Sequence, residues 1–149
     1  ALKLAGFDRD HPSIQKILNF LRETRNEGGY WFDKWHVSPY YITSHVVIEC
    51  LEYDLQLCQG AIDWILKNQS ANGAWGYFGF PTAEETAFCL QAIKIWRRNG
   101  NPVPEGRIEM ASMWLSENAK PPYPWMWIAK TLYYPELIIQ SSIMTALAL

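Results

Sequence analysis

The sequence is short of charge, of cysteine and of strand patterns, and each shortage removes a class of protein. Charged residues make up only 19%, and 13 Lys and Arg against 15 Asp and Glu give a net charge of −2. Such a surface has no general attraction for nucleic acid or anionic lipid, so we expect no nucleic-acid partner. Three cysteines are too few for a disulfide framework. No apolar run reaches membrane-span length and no signal peptide opens the chain, so we expect a cytoplasmic protein without a transmembrane segment.

Helical patterns dominate what is present. Three amphipathic segments predict half-buried outer helices: one from Pro12, one over about 57–68 and one over about 105–118. Three thirteen-residue segments that each begin at a proline are apolar nearly all round in their last two turns. They cover 39–51, 81–93 and 135–147 and predict inner helices that are enclosed on every side.

The outer and inner helices alternate, and the turns between them repeat. Gln69, Gly73 and Trp75 have the same spacing as Arg25, Gly29 and Trp31. Repeats of this length, each a helix pair, predict a solenoid or a helical toroid. We therefore predict an all-α fold in which three pairs, about 7–51, 55–93 and 105–149, form part of an α/α toroid of the α6–α6 type. Three pairs are too few to close a ring, so we expect a single partial domain from a longer chain.

The turn pattern Gln-x3-Gly-x-Trp, read in "WILKNQSANGAW" and, with Arg25 for Gln, in "FLRETRNEGGYW", resembles the QW repeat of squalene-hopene cyclases. The resemblance implies that Gln69 caps the next inner helix and contacts the Trp75 ring. Three longer stretches resemble the C-terminal part of bacterial class II diterpene cyclases of the copalyl diphosphate synthase type: "YWFDKWHVSPYYITSHVVIECL", "GAWGYFGFPTAEETAFCLQAI" and "WMWIAKTLYYPELIIQSSIMTAL". This implies conversion of geranylgeranyl diphosphate, a prenyl diphosphate, to a bicyclic copalyl-type diphosphate.

The resemblance also implies an initiating Asp-x-Asp-Asp acid, and the sequence contains none. Asp8 and Asp10 precede Pro12 in a loop pattern, so we do not assign them that role. We expect the acid shortly before Ala1, with "ALKLAG" as the end of its helix, and this chain by itself to be inactive. We predict no metal site and no cofactor in this chain, and any Mg²⁺ would bind elsewhere in a longer chain.

Cyclase chemistry needs a dry cavity with aromatic faces around a carbocation. Candidate catalytic residues are His45 and His36, as partner of the acid or as base, although both also suit a structural role. The side chains of Lys34 and Lys130 are suited either to binding a diphosphate or to lying in solvent at the surface. The candidate residues for lining the substrate cavity are Trp35, Tyr40, Tyr41, Tyr77, Phe78, Glu85 and Thr86. The alternative for each of them is a role in packing or at a helix end.

Other functions stay open at this point. One alternative is a piece of a squalene-hopene-type triterpene cyclase, and another is a non-catalytic helical-repeat module that binds lipid or protein. The zinc-dependent protein prenyltransferases are disfavoured because Cys50, Cys58 and Cys89 lack zinc spacing. We also predict an exposed apolar edge through which the chain self-associates.

Overall fold

The computed structural model describes residues 5–149, so most of the helix end predicted in "ALKLAG" lies outside the described residues. The described chain forms six α-helices and one short antiparallel hairpin, in which Trp127 pairs with Tyr133. The elements are α1 (Pro12–Thr24), α2 (Pro39–Cys50), α3 (Leu55–Lys67), α4 (Ala83–Arg98), α5 (Arg107–Asn118), β1 (Trp127–Ile128), β2 (Leu132–Tyr133) and α6 (Glu136–Ala148).

Side-chain caps set where three of these helices begin. The Ser38 side chain accepts from the N–H of Tyr40 at the start of α2. Asp54 accepts from Leu57 N–H at 3.0 Å, so α3 begins at Leu55, slightly before the predicted position. The Thr82 hydroxyl accepts from the Glu85 N–H at 3.1 Å, so α4 begins at Ala83, after the predicted start at residue 81, and it continues past the predicted end at residue 93 to Arg98.

The helices pack in the predicted alternating order. The inner helices lie side by side, α2 against α4 and α4 against α6. Outer helix α3 packs against α2 and α4, and outer helix α5 packs against α4 and α6. Helix α4 is therefore surrounded, and nearly all its residues from Ala83 to Trp96 are buried. The alternation of outer and inner helices is confirmed.

Trp31 and Trp75 anchor equivalent turns of the first two repeats. The Trp75 indole N–H donates to the carbonyl of Ile65 at 2.7 Å, and the Trp31 indole donates to Leu21 at 2.8 Å. Each indole thus binds the last turns of the preceding outer helix. Their backbone N–H groups donate to hydroxyls on the following inner helices, at 3.1 Å in both repeats: Thr43 and Thr86.

Glycine is required in both turns by backbone angle and by space. Gly29 has φ +93° and Gly73 has φ +90°, angles that a residue with a side chain rarely adopts. A β-carbon on Gly29 would lie 2.6 Å from the carbonyl oxygen of Gly60 in α3. One on Gly73 would lie 2.6 Å from the backbone of Met110 in α5. Each turn therefore presses directly on the next outer helix.

Gln69 contacts the next outer helix, not the next inner helix, so the predicted inner-helix cap was wrong. Its amide donates to Gly73 O at 2.8 Å and to Arg107 O at 2.9 Å, and accepts from the Arg107 guanidinium at 3.2 Å. The inner helix α4 has its own cap in Thr82. The Gln69 side chain is therefore left to join its turn to the start of α5.

The all-α prediction is confirmed, since the only strands within residues 5–149 are the two-residue β1 and β2 of one hairpin in the third repeat. One further prediction needs correction. Helix α6 is not enclosed by the described residues, since only Ile139, Ile143 and Ala146 are buried. Its exposed apolar residues are Leu137, Ile138, Met144 and Leu147. No helix within residues 5–149 combines the length and the apolar character needed to cross a bilayer.

Candidate functional site

The N-terminal ends of the inner helices meet around a buried histidine and a buried glutamate. His36 precedes α2, Glu84 lies in the first turn of α4, and Trp127 lies in β1. The Trp127 indole donates to Oε1 of Glu84 at 2.6 Å. Nε2 of His36 lies 3.7 Å from the same oxygen, and neither the histidine nor the glutamate side chain is exposed. These three residues are called the His36 cluster below.

Two atoms of this cluster have no hydrogen-bond partner among the described residues, His36 Nε2 and Glu84 Oε2. Nδ1 of His36 lies 3.1 Å from the N–H of Ser38. When Nδ1 accepts this bond, the proton of a neutral imidazole lies on Nε2, the atom that faces Glu84. An unpaired buried polar atom destabilises a fold by about 1–3 kcal/mol, so the cluster leaves two polar atoms unsatisfied next to the aromatic rings.

Glu85 lies beside the cluster but is fully hydrogen-bonded. Its carboxylate accepts from the Ser38 hydroxyl at 2.5 Å, from the Tyr77 N–H at 3.0 Å and from the Thr82 hydroxyl at 2.8 Å. Burial raises the pKa of Glu85 above its ordinary value, although these hydrogen bonds act in the opposite direction. Glu85 thereby ties the segments before α2 and α4 together.

Tyr41 separates the two candidate histidines. Its ring stacks on His36 with centroids 5.0 Å apart and lies 4.5 Å from the ring of His45. Nδ1 of His45 lies 2.8 Å from the Tyr41 carbonyl, which can only accept, so the His45 proton lies on Nδ1. The basic nitrogen of His45 is therefore Nε2. Phe88 closes the group with edge contacts to all three rings.

Exposed aromatic rings lie next to these buried groups. Tyr77 contacts Phe32 at 5.7 Å and Phe78 at 5.2 Å between centroids, and all three rings are about half exposed. Trp35 is 57% exposed, and the ammonium of Lys34 lies 5.0 Å from its centroid. Such faces can hold a hydrocarbon chain or stabilise a cation.

The remaining candidates do not join this surface. Tyr40 is buried and packs on Trp64 of α3, at 4.7 Å between centroids. Thr86 is fully buried, and its hydroxyl is engaged by the Trp75 backbone. Lys130 lies in the exposed turn between β1 and β2. The rings of Trp31 and Trp75 are likewise buried in the repeat turns.

Sequence reasoning gave Glu84 and Trp127 no joint role. In the sequence, Glu84 is interpreted as an acid at a helix N-terminus, where its charge complements the helix dipole. Trp127 is interpreted as one of several aromatic residues before an inner helix. The available signal was the adjacent acid pair Glu84 and Glu85 on an otherwise apolar inner helix. Among residues 5–149, no three His, Cys, Asp or Glu side chains are placed to hold a metal ion.

Comparison with known proteins gives consistent matches. Residues 1–88 match the family described as the squalene-hopene cyclase C-terminal domain. The "Type B diterpene cyclase" of Mycobacterium tuberculosis (strain ATCC 25618 / H37Rv) is 45% identical over 151 residues, which cover all of this chain and 30% of that protein. The "Copalyl diphosphate synthase" of Streptomyces anulatus is 31% identical, covering 96% of this chain and 28% of that protein.

The solved structures agree with the sequence matches. The ent-copalyl diphosphate synthase from Streptomyces platensis has a TM-score of 0.80 and 30% identity, over 91% of this chain and 27% of that one. The chain therefore spans less than a third of the length of each of these proteins.

Proposed function

Because the chain belongs to the squalene-hopene cyclase C-terminal domain family, we propose that it forms part of a class II diterpene cyclase. Such an enzyme protonates an alkene and directs the resulting carbocation through ring closure. The single observation that carries the proposal is the 45% identity to a diterpene cyclase over the whole chain. The proposed substrate is geranylgeranyl diphosphate, the proposed product is a bicyclic copalyl-type diphosphate, and the proposed location is the cytoplasm.

The exposed aromatic rings supply the cation-stabilising part of this function. Each ring face attracts a cation by about 0.5–2 kcal/mol when water is excluded. Phe32, Tyr77 and Phe78 form a continuous surface, while Tyr41 and Phe88 lie deeper beside the histidines. A prenyl chain folded against these rings would be kept from water as charge develops.

His45 supplies the proton-handling part, and the His36 cluster supplies support for it. His45 is half-buried. Its Nδ1 bonds to the Tyr41 carbonyl, so its basic nitrogen is Nε2, which takes no part in that bond. His45 could therefore accept the proton released at the end of the reaction, or it could orient the acid that starts the reaction. His36 is enclosed beside Glu84 and accepts from the Ser38 N–H, so its role is to hold this end of the inner helices in place.

The initiating acid and Mg²⁺ remain predictions. The Asp-x-Asp-Asp motif implied by the resemblance is not in the sequence. The described residues offer no metal-binding group, so no step is assigned to a metal. A squalene-hopene-type triterpene cyclase is the second candidate, because the family that matches residues 1–88 is described by that name.

The test is a product assay on the complete open reading frame that contains this sequence. We expect purified protein to convert geranylgeranyl diphosphate to a bicyclic diphosphate, identified by mass spectrometry after dephosphorylation, and to leave squalene unchanged. His45→Ala should lower kcat strongly. His11→Asn serves as the matched control because His11 lies at the N-cap of α1, away from the aromatic rings of α2 and α4. Turnover of squalene alone would favour the triterpene reading, and no turnover of either would favour a binding module.

A further inference from the structure

A cavity lined by arginine lies on the outer-helix side of the fold. Its volume is about 350 Å³, and it shares no residue with the His36 cluster or with the exposed aromatic rings. The cavity is within the size range of small-ligand sites, roughly 300–1,000 Å³. Its lining residues are Arg9, Arg22, Arg25, Asp54, Gln56 and Leu57.

Positive charge exceeds negative charge around this cavity. Asp54 is committed to the fold, because its carboxylate accepts from the Arg22 guanidinium at 2.5 Å and from the Leu57 N–H at 3.0 Å. Within residues 5–149, the guanidinium groups of Arg9 and Arg25 make no hydrogen bond and no ion pair with another residue. One carboxylate therefore faces three guanidinium groups, and two of these have no hydrogen-bond acceptor within residues 5–149.

The second repeat has a neutral residue at the position of Arg25, so the turn of the first repeat does not require the charge of Arg25. The equivalent residue of the second repeat is Gln69, whose neutral amide bonds to its own turn through Gly73 O. Arg25 makes no corresponding bond to Gly29. Its Nη1 instead lies over α3, where a β-carbon on Gly60 would approach it to 3.3 Å. Arg25 thus lies against α3 at Gly60, and it also borders the arginine-lined cavity.

We propose that this cavity binds a phosphate or diphosphate group. Guanidinium groups match phosphate oxygens with two parallel hydrogen bonds, and charge-assisted bonds of this kind are stronger than neutral ones. A multiply charged anion would neutralise the unpaired charge of Arg9 and Arg25 while leaving the Arg22–Asp54 ion pair intact. The site stands apart from the proposed cyclase function and does not depend on it.

The first experiment measures binding of inorganic pyrophosphate to the purified full-length protein by titration calorimetry at low salt. The test variant is Arg9→Gln/Arg25→Gln, in which position 25 receives the residue type found in the second repeat. The control is Arg97→Gln/Arg98→Gln, which removes the same charge from the end of α4. We expect the test variant to bind at least about tenfold more weakly and the control to bind like the wild type, with thermal melts confirming that all proteins fold.

A second arm separates free anions from lipid headgroups. Phosphatidylcholine vesicles with and without phosphatidic acid are sedimented with the same proteins. Loss of binding in the test variant, in either arm, supports the site, and the arm that responds identifies the source of the phosphate. Equal binding by wild type and test variant, equal weakening in the control, or no binding in both arms would overturn it.

Discussion

The indole of Trp127 and the carboxylate of Glu84, 43 positions apart in the sequence, are joined by a 2.6 Å hydrogen bond. This bond connects the hairpin before α6 to the first turn of α4, in a place where Glu84 has no exposure. It is one of the contacts that join the second and third repeats.

Trp127→Phe should destabilise the protein by about 1–3 kcal/mol, because Oε1 of buried Glu84 loses its donor. Urea unfolding gives the measurement. Trp125→Phe is the control, since Trp125 is 62% exposed and two positions away. Combining Trp127→Phe with Glu84→Gln should be less than additive, because both changes act on one hydrogen bond. Additive effects would show that the bond contributes nothing.

Gly73→Ala should unfold at much lower urea than Gly79→Ala. Both glycines have positive φ, +90° and +86°, which disfavours alanine by about 1–2 kcal/mol. A β-carbon on Gly79 has open space, whereas one on Gly73 meets the Met110 backbone at 2.6 Å. The difference between the variants therefore isolates the packing of the turn on α5. Equal destabilisation would contradict that packing.

Thr86→Val should cost about 1–3 kcal/mol of stability, because the buried N–H of Trp75 loses its acceptor. Thr86→Ser keeps the hydroxyl and should restore most of this loss. Thr145→Val, at an exposed position of α6, should stay within about 0.5 kcal/mol of the wild type. A serine variant as unstable as the valine variant would indicate that methyl packing dominates.

The stability contributed by Glu85 should fall as pH rises. Burial raises its pKa above the ordinary value of 4.5, so the folded state holds this proton more tightly than the unfolded state does. The contribution is full below pH 4.5 and is lost as pH rises through the raised pKa. The difference in unfolding free energy between the wild type and Glu85→Gln should therefore decrease over that window. Glu117→Gln, at an exposed site, is the matched charge-removing control.

Self-association should depend on the exposed face of α6. Leu137 and Met144 lie two turns apart on α6 and are 81% and 71% exposed. We expect sedimentation velocity to show concentration-dependent association, and Leu137→Glu/Met144→Glu to shift it toward monomer. Met113→Glu, at a residue of α5 that is 62% exposed, should leave it unchanged. A wild type that stays monomeric at high concentration would refute the prediction.

Much of the fold follows from local patterns. Helices α1 and α2 begin at the predicted prolines, Pro12 and Pro39, whereas α4 and α6 begin shortly after theirs. The Ser38, Asp54 and Thr82 caps fix further starts, since a cap acts on N–H groups within one turn. The recurring Gly and Trp positions predict the equivalent turns around Trp31 and Trp75. The hairpin was missed because its strands have two residues each, too few to produce an alternating pattern.

The sequence by itself determined the helices, their alternation and the two equivalent turns around Trp31 and Trp75. The reason is that periodicity, caps and glycine backbone angles act between residues a few positions apart. Only the tertiary structure decided that Glu84 meets Trp127 and His36, that Gln69 reaches α5, and that Arg9 and Arg25 border one cavity. These relationships join segments far apart in the chain, and a short-range pattern carries no information on how such segments dock. The side-chain partners in the His36 cluster, at Gln69 and around the arginine-lined cavity therefore depend on how whole helices pack.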